Sequence, residues 1–241
     1  MSVSLPGVVT VLLPGTGSDE DYLQRAFTEP LGRVGAIAAP IRPRPRDLVA
    51  GYLDAMSEAA ADRGIIVGGV SLGAVVAARW ALANPDRAVG VIAALPPWTG
   101  APGAAPAAVS ATYTAAELRR TGLAAVTAQL RRSSPGWLAD ELSRSWRRQW
   151  PDLPHALDAA AACTAPTTRE LEHMQSPMGV VGAPDDLIHP VSVATEWARA
   201  APRAVLRTVR LDRFGPDPEV LGTACVEAFI DALAVKPRPV C

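Results

Sequence analysis

A chain of 241 residues is long enough for one domain with a sizeable core, or for one domain carrying an insertion. Its 49% hydrophobic and 20% charged residues describe a soluble globular protein. A formal net charge of -1 argues against a nucleic-acid or membrane surface.

The amino terminus has no basic segment before its first apolar run, and Pro6, Pro14 and Gly15 interrupt that run. It reads as a strand and not as a signal peptide. No apolar stretch is long enough to span a bilayer. Cys163, Cys225 and Cys241 are an odd, widely spaced set without metal-ligand spacing. They are expected to be free thiols in a reducing compartment, which points to the cytoplasm.

The first strand is predicted over Val8 to Leu13, ending in Pro14-Gly15-Thr16-Gly17. Ser18 followed by Asp21 resembles a capping box opening a helix that runs toward Leu31. Val34 to Ala39 reads as a second short strand closed by Pro40, and Ile41 to Pro45 as a stiff connection. A helix is expected from about Asp47, with Leu48, Tyr52 and Met56 on one face.

Ile65 to Val67 is short and β-branched, as a buried parallel strand should be. It runs through Gly69-Val70-Ser71-Leu72-Gly73 into an alanine-rich helix that Pro85 ends. A Gly-x-Ser-x-Gly turn between strand and helix is the context of a nucleophile elbow. Such a turn strains its central residue and exposes the Ser71 hydroxyl at the carboxyl end of the strand. The Leu72 N–H then points at any oxyanion that Ser71 creates.

Ala88 to Leu95 forms the next strand and stops at Pro96-Pro97-Trp98. The alternation resumes with Met178 to Val181 as strand, Val191 to Ala201 as helix, Val205 to Leu211 as strand and Pro218 to Leu233 as helix. Lys236-Pro237-Arg238-Pro239 is expected to fray. Strands alternating with helices give a parallel sheet covered on both faces.

Between these halves the rhythm breaks. Trp98 to about Leu171 opens as a Pro/Gly/Ala-rich loop and continues in helical patterns, including Ala115 to Arg132 and Leu138 to Trp150. It holds Trp98, Trp137, Trp146 and Trp150, four of the six tryptophans. The domain boundaries expected are therefore a core of residues 1–97 and 172–241, with residues 98–171 as a helical lid over the strand carboxyl ends. Trp98, directly after a strand end, is expected to face the pocket beside Gly15. There are no internal repeats.

These features together resemble the α/β-hydrolases over nearly the whole chain. Leu12 to Gly17 is similar to the loop that completes the oxyanion hole, Gly69 to Gly73 to the elbow, and the insertion after Leu95 to the family's cap. Gly179-Val180-Val181-Gly182-Ala183-Pro184-Asp185-Asp186-Leu187-Ile188-His189-Pro190 resembles the strand and loop carrying the triad acid. The resemblance implies an α/β-hydrolase-like, mostly parallel doubly wound sheet that lacks the N-terminal hairpin. It implies Ser71 as nucleophile, and the Thr16 and Leu72 amides as oxyanion hole. The family's spacing to the loop proline selects Asp186 over Asp185 as the acid.

The family's histidine belongs between the last strand and the final helix. That stretch, Leu211 to Pro218, contains none, so the triad is expected to be atypical and incomplete at this position. The three histidines are His155, His173 and His189. His189 is the only one on a loop at the strand carboxyl ends, and is the candidate displaced base; a structural His-Pro at a helix start is the alternative. His155 could reach down from the insertion, and His173 reads as a solvated surface group.

Three functions fit. The first is a serine hydrolase or acyltransferase acting on a moderately apolar ester, thioester or lactone. The second is a non-hydrolytic epimerase, cyclase or lyase in which the oxyanion hole stabilises an enolate. The third is an inactive binding protein whose tryptophans clasp an apolar ligand. No cofactor and no metal is expected. The expected partner is an apolar small molecule, with no nucleic acid and no membrane, and self-association is left open.

Overall fold

The computed structural model describes residues 4–237. Cys241, and Arg238 and Pro239 of the expected frayed tail, lie outside them.

Six strands form one all-parallel sheet in the order β2-β1-β3-β4-β5-β6. They are β1 Val9–Leu13, β2 Ile37–Pro40, β3 Ile65–Val70, β4 Ala88–Ala94, β5 Met178–Gly182 and β6 Ala204–Thr208. The core helices are α1 Glu20–Arg33, α2 Leu48–Ala59 and α3 Leu72–Ala83, which connect the first four strands. Four more follow β4: α4 Pro106–Ser133, α5 Gly136–Gln149, α6 Leu153–Ala161 and α7 Thr168–Leu171. The chain closes with α8 Val191–Ala200, the single turn α9 Leu211–Phe214 and α10 Pro218–Leu233.

Strand side chains alternate between the two faces. Val11, Leu13, Val67, Val91 and Ala93 enter one buried cluster with Tyr52, Trp80 and Trp197. Leu12, Ile66 and Ile92 enter the other with Phe27, Phe229 and Leu221. The central strands are thus apolar on both sides, which is why Ile65 to Val67 shows no polar alternation. The chain runs from β1 outward to β2 and then back across to β3 on the other side of β1. The carboxyl ends of β1 and β3 therefore flank the topological switch point, where open α/β sheets hold ligands.

Several element boundaries move from the sequence expectation. The second strand starts at Ile37, because Val34 and Gly35 turn the chain at the end of α1, with Gly35 at φ +81°. The capping box of Ser18 and Asp21 does not form. Asp19 occupies the N-cap of α1 and its carboxylate faces Arg144 instead. The last strand ends at Thr208, and Leu211 begins the turn α9. Helix α4 starts at Pro106, ahead of the expected Ala115, and breaks at Gly122 with φ +80°.

Helices α4, α5 and α6 share a small cluster of their own, Ala115, Leu118, Trp146, Leu153 and Leu157. No helix among the described residues is long and apolar enough to cross a membrane.

Candidate active site

Strand β3 delivers Ser71 at its carboxyl end with φ 55° and ψ −117°, a conformation rare for a residue with a side chain. Its strain is held from both sides. Ser71 N–H donates to the Ala94 carbonyl across the sheet at 2.9 Å, and the Ser71 carbonyl accepts the first turn of α3 through Ala74 N–H at 3.0 Å. The flanking glycines are sterically required. A Cβ on Gly69 would stand 2.6 Å from the Gly73 carbonyl carbon, and one on Gly73 would stand 2.7 Å from that of Leu13.

The histidine that meets Ser71 comes from the loop after β5. His189 Nε2 lies 2.9 Å from Ser71 Oγ, and His189 Nδ1 lies 2.8 Å from Asp186 Oδ2. Asp186 Oδ1 accepts the Ile188 and His189 backbone N–H groups at 2.8 and 3.2 Å. Asp186 and His189 therefore sit three residues apart on one turn, and the turn locks itself. Burial works against the charge on Asp186. The hydrogen bond and charge of His189 and the two amides outweigh it, holding the carboxyl below the usual range.

That depression has a sign. Asp186 contributes stability above the ordinary carboxylate pKa of about 3.9, and the contribution is lost as pH falls through the lowered folded value. Acid unfolding of wild type and Asp186→Asn should converge at the lowest pH and separate above about pH 4, with wild type more stable. Parallel curves with no pH-dependent gap would contradict this.

The two adjacent aspartates have separate tasks. Asp185 turns away from Ser71 and accepts the Leu211 N–H at 2.7 Å and the Asp212 N–H at 3.4 Å, with Arg210 at 3.4 Å. It caps α9, which occupies the stretch where a histidine was sought. Of the other histidines, His155 is exposed on α6, and His173 is exposed with Nδ1 2.8 Å from the Arg169 carbonyl. Neither is bonded to Ser71 or Asp186.

The loop after β1 lies against Ser71. A Cβ on Gly15 would be 3.4 Å from Ser71 Cβ and 3.3 Å from the Val70 carbonyl oxygen. Thr16 follows at this contact, partly exposed, while Leu72 is the first residue of α3. The N–H groups of a helix's first turn have no intrahelical acceptor. The Leu72 amide, at the first position of α3, therefore has no intrahelical acceptor.

Three supports of this loop escaped the sequence reading. Buried Tyr52 donates its hydroxyl to the Pro14 carbonyl at 3.2 Å. Gln149 Nε2 of α5 donates to the Ser18 carbonyl at 2.9 Å. Arg144 of α5 grips buried Asp19 with two bonds of 2.7 and 2.8 Å. Trp146 packs on Gly17, where a Cβ would come within 2.6 Å of its indole nitrogen. For Tyr52 only the apolar face was legible, because period-four spacing says nothing of a hydroxyl's partner.

Removing the Tyr52 hydroxyl leaves a buried carbonyl short of a donor. Tyr52→Phe is expected to cost about 0.5–1.5 kcal/mol of stability, read from urea unfolding. An unchanged midpoint would show that the bond carries no weight.

Trp98 follows β4 into the loop beside Pro190. It is 5% exposed, belongs to the core cluster and donates its indole N–H to the Cys163 carbonyl at 3.1 Å. Trp98 also lines a cavity shared with Pro190, Val193 and Glu196. Trp146 and Trp137 pack on Gly17 and Gly215, respectively, and Trp150 is 39% exposed.

The comparisons agree with this architecture. The sequence profile described as "Alpha/beta hydrolase family" matches residues 4–228, and the chain belongs to that family. No curated protein matches it significantly. Among solved structures, it is similar to MGS-M2, an alpha/beta hydrolase enzyme from a Medee basin deep-sea metagenome library. The identity is 15%, over 99% of this chain and 94% of that one, with a TM-score of 0.69. The enol-lactonase from Burkholderia xenovorans LB400 is 16% identical over 86% and 84% of the two chains, with a TM-score of 0.65. A thermophilic esterase from Thermogutta terrifontis is 16% identical over 93% and 90%, with a TM-score of 0.66. At these identities the likeness is one of fold.

Proposed function

We propose that the protein is a serine hydrolase or acyltransferase that cleaves an ester, thioester or lactone of a small, moderately apolar molecule. The observation that carries this reading is the continuous hydrogen-bonded line from Ser71 through His189 to Asp186. In this mechanism His189 Nε2 takes the Ser71 proton as Oγ attacks the acyl carbon. Asp186 fixes the tautomer through Nδ1 and stabilises the imidazolium that forms. The Thr16 and Leu72 amides bind the tetrahedral oxyanion. His189 then protonates the leaving group, and the acyl-enzyme passes to water or another acceptor. The triad so formed is complete, with its base displaced onto the acid loop; the incomplete triad expected from the sequence is not part of this reading.

The helices between β4 and β5 serve as the lid in this account, because α5 lies on the oxyanion loop at Gly17 and Ser18. Lactone and ester cleavage on this fold has support from the names of the enol-lactonase and the esterase. A cytoplasmic location is compatible with Cys163 and Cys225, which are free thiols.

The test is pre-steady-state turnover of short p-nitrophenyl esters. A nitrophenol burst stoichiometric with wild-type enzyme, absent from Ser71→Ala, is expected. Deuterium uptake beside a substrate carbonyl without cleavage would replace this reading by enolate chemistry.

A further inference from the structure

Immediately after His189, Pro190 and α8 border a groove that the catalytic reading leaves unused. One cavity of about 460 Å³ is lined by Pro97, Trp98, Thr99, Pro190, Val193 and Glu196, among others. A second of about 520 Å³ continues along α8 past Glu196 to Arg199. Glu196 borders both cavities.

Its carboxylate is oriented by a directed chain of donors. Trp197 Nε1 donates to Thr99 Oγ1 at 3.1 Å, so the Thr99 hydroxyl must point its own proton elsewhere. It donates to Glu196 Oε2 at 3.0 Å. On the other oxygen, Thr168 Oγ1 donates to Oε1 at 2.9 Å. The two threonines belong to separate segments, the loop after β4 and the start of α7. No cation lies within 4.0 Å of this carboxylate among the described residues. Arg199, one turn along α8, makes no ion pair with it.

A carboxylate fixed by two neutral donors keeps its full charge and has lone pairs left to accept another proton donor. Glu196 is exposed, and around it the wall mixes Pro97, Trp98, Pro190 and Val193 with the hydroxyl-bearing Thr167 and Ser192. A fixed carboxylate beside the apolar surface of Pro190 and Val193 suits an ammonium on a short hydrocarbon stem. We infer that this groove binds an organic cation, with Glu196 as its counter-ion and the stem against Pro190 and Val193. That the cation is part of the substrate rests on the hydrolase reading; the cation site itself does not.

The probe is hexylammonium, with hexanol as its uncharged counterpart, titrated calorimetrically into wild type, Glu196→Gln and Arg199→Ala. Wild type should prefer the ammonium about fivefold at low salt, the scale of an exposed ion pair. The preference should shrink in about 0.5 M salt, where the Debye length approaches 4 Å. Glu196→Gln keeps an acceptor and a similar shape, and should lose the preference while binding hexanol as before; Arg199→Ala should retain it. Equal affinity for the two probes, absence of binding, or a preference that survives Glu196→Gln would overturn the inference. Ser71 labelling is measured separately, so an unreactive serine with intact ammonium binding would sink the hydrolase reading alone.

Discussion

Replacing His189 by alanine is expected to lower ester turnover by about 10⁴–10⁶-fold. A serine hydroxyl without a base is a poor nucleophile near neutral pH, and neither remaining histidine is bonded to Ser71. The line acts as a unit, so the double variant Ser71→Ala, His189→Ala should be little worse than either single change. Asp186→Asn should cost about 10⁴-fold by a different route. The Asn oxygen can still accept the Ile188 and His189 amides, but its NH₂ would then face His189 Nδ1. The ring must present Nδ1 as acceptor and Nε2–H toward Ser71, which is the wrong tautomer for a base. Full turnover in His189→Ala, with the fold intact by circular dichroism, would contradict the assignment.

The second large effect is structural. Gly73→Ala should destabilise the protein by about 3 kcal/mol or more, beyond the usual range for one inserted methyl. The new Cβ would collide with the Leu13 carbonyl oxygen and stand 2.7 Å from its carbon. Both are backbone atoms of β1, so no side-chain rotation relieves the clash. Leu13 leads directly into Pro14 and Gly15, so what survives folding should carry a displaced oxyanion loop. Thermal melting and turnover of the folded fraction check the two halves of this expectation. A melt like wild type would show that β1 and α3 separate more easily than their packing implies.

The sheet and the elbow were legible because both are local patterns. A β-branched run at Ile65 to Val67, two glycines around Ser71 and an alanine-rich helix specify a strand–turn–helix wherever they fall. The choice of Asp186 over Asp185 came from the family resemblance, and it is Asp186 that bonds His189 while Asp185 bonds the Leu211 amide. The contact of His189 with Ser71 was harder to read, since the family's histidine position lies between Leu211 and Pro218, in a different loop. The three-residue interval from Asp186 to His189 does place both on one turn, which was the available signal. Its meaning depends on the approach of β3 and β5 ends across the sheet, a long-range fact that no local spacing reports. The grips on the loop after β1 from Tyr52, Arg144 and Gln149 were hidden likewise, with partners 38, 125 and 131 residues away in the chain. The Trp98 bond to the Cys163 carbonyl was hidden too, because a strand-end position says where the backbone lies and not which way the indole turns.

Intact mass after brief exposure to a serine-directed fluorophosphonate, on wild type, Ser71→Ala and His189→Ala, tests the central claim most directly. A single adduct on wild type, none on Ser71→Ala and strongly slowed labelling of His189→Ala is the predicted result. Folded wild type that stays unlabelled, or His189→Ala that labels as fast as wild type, would contradict a serine activated by this histidine.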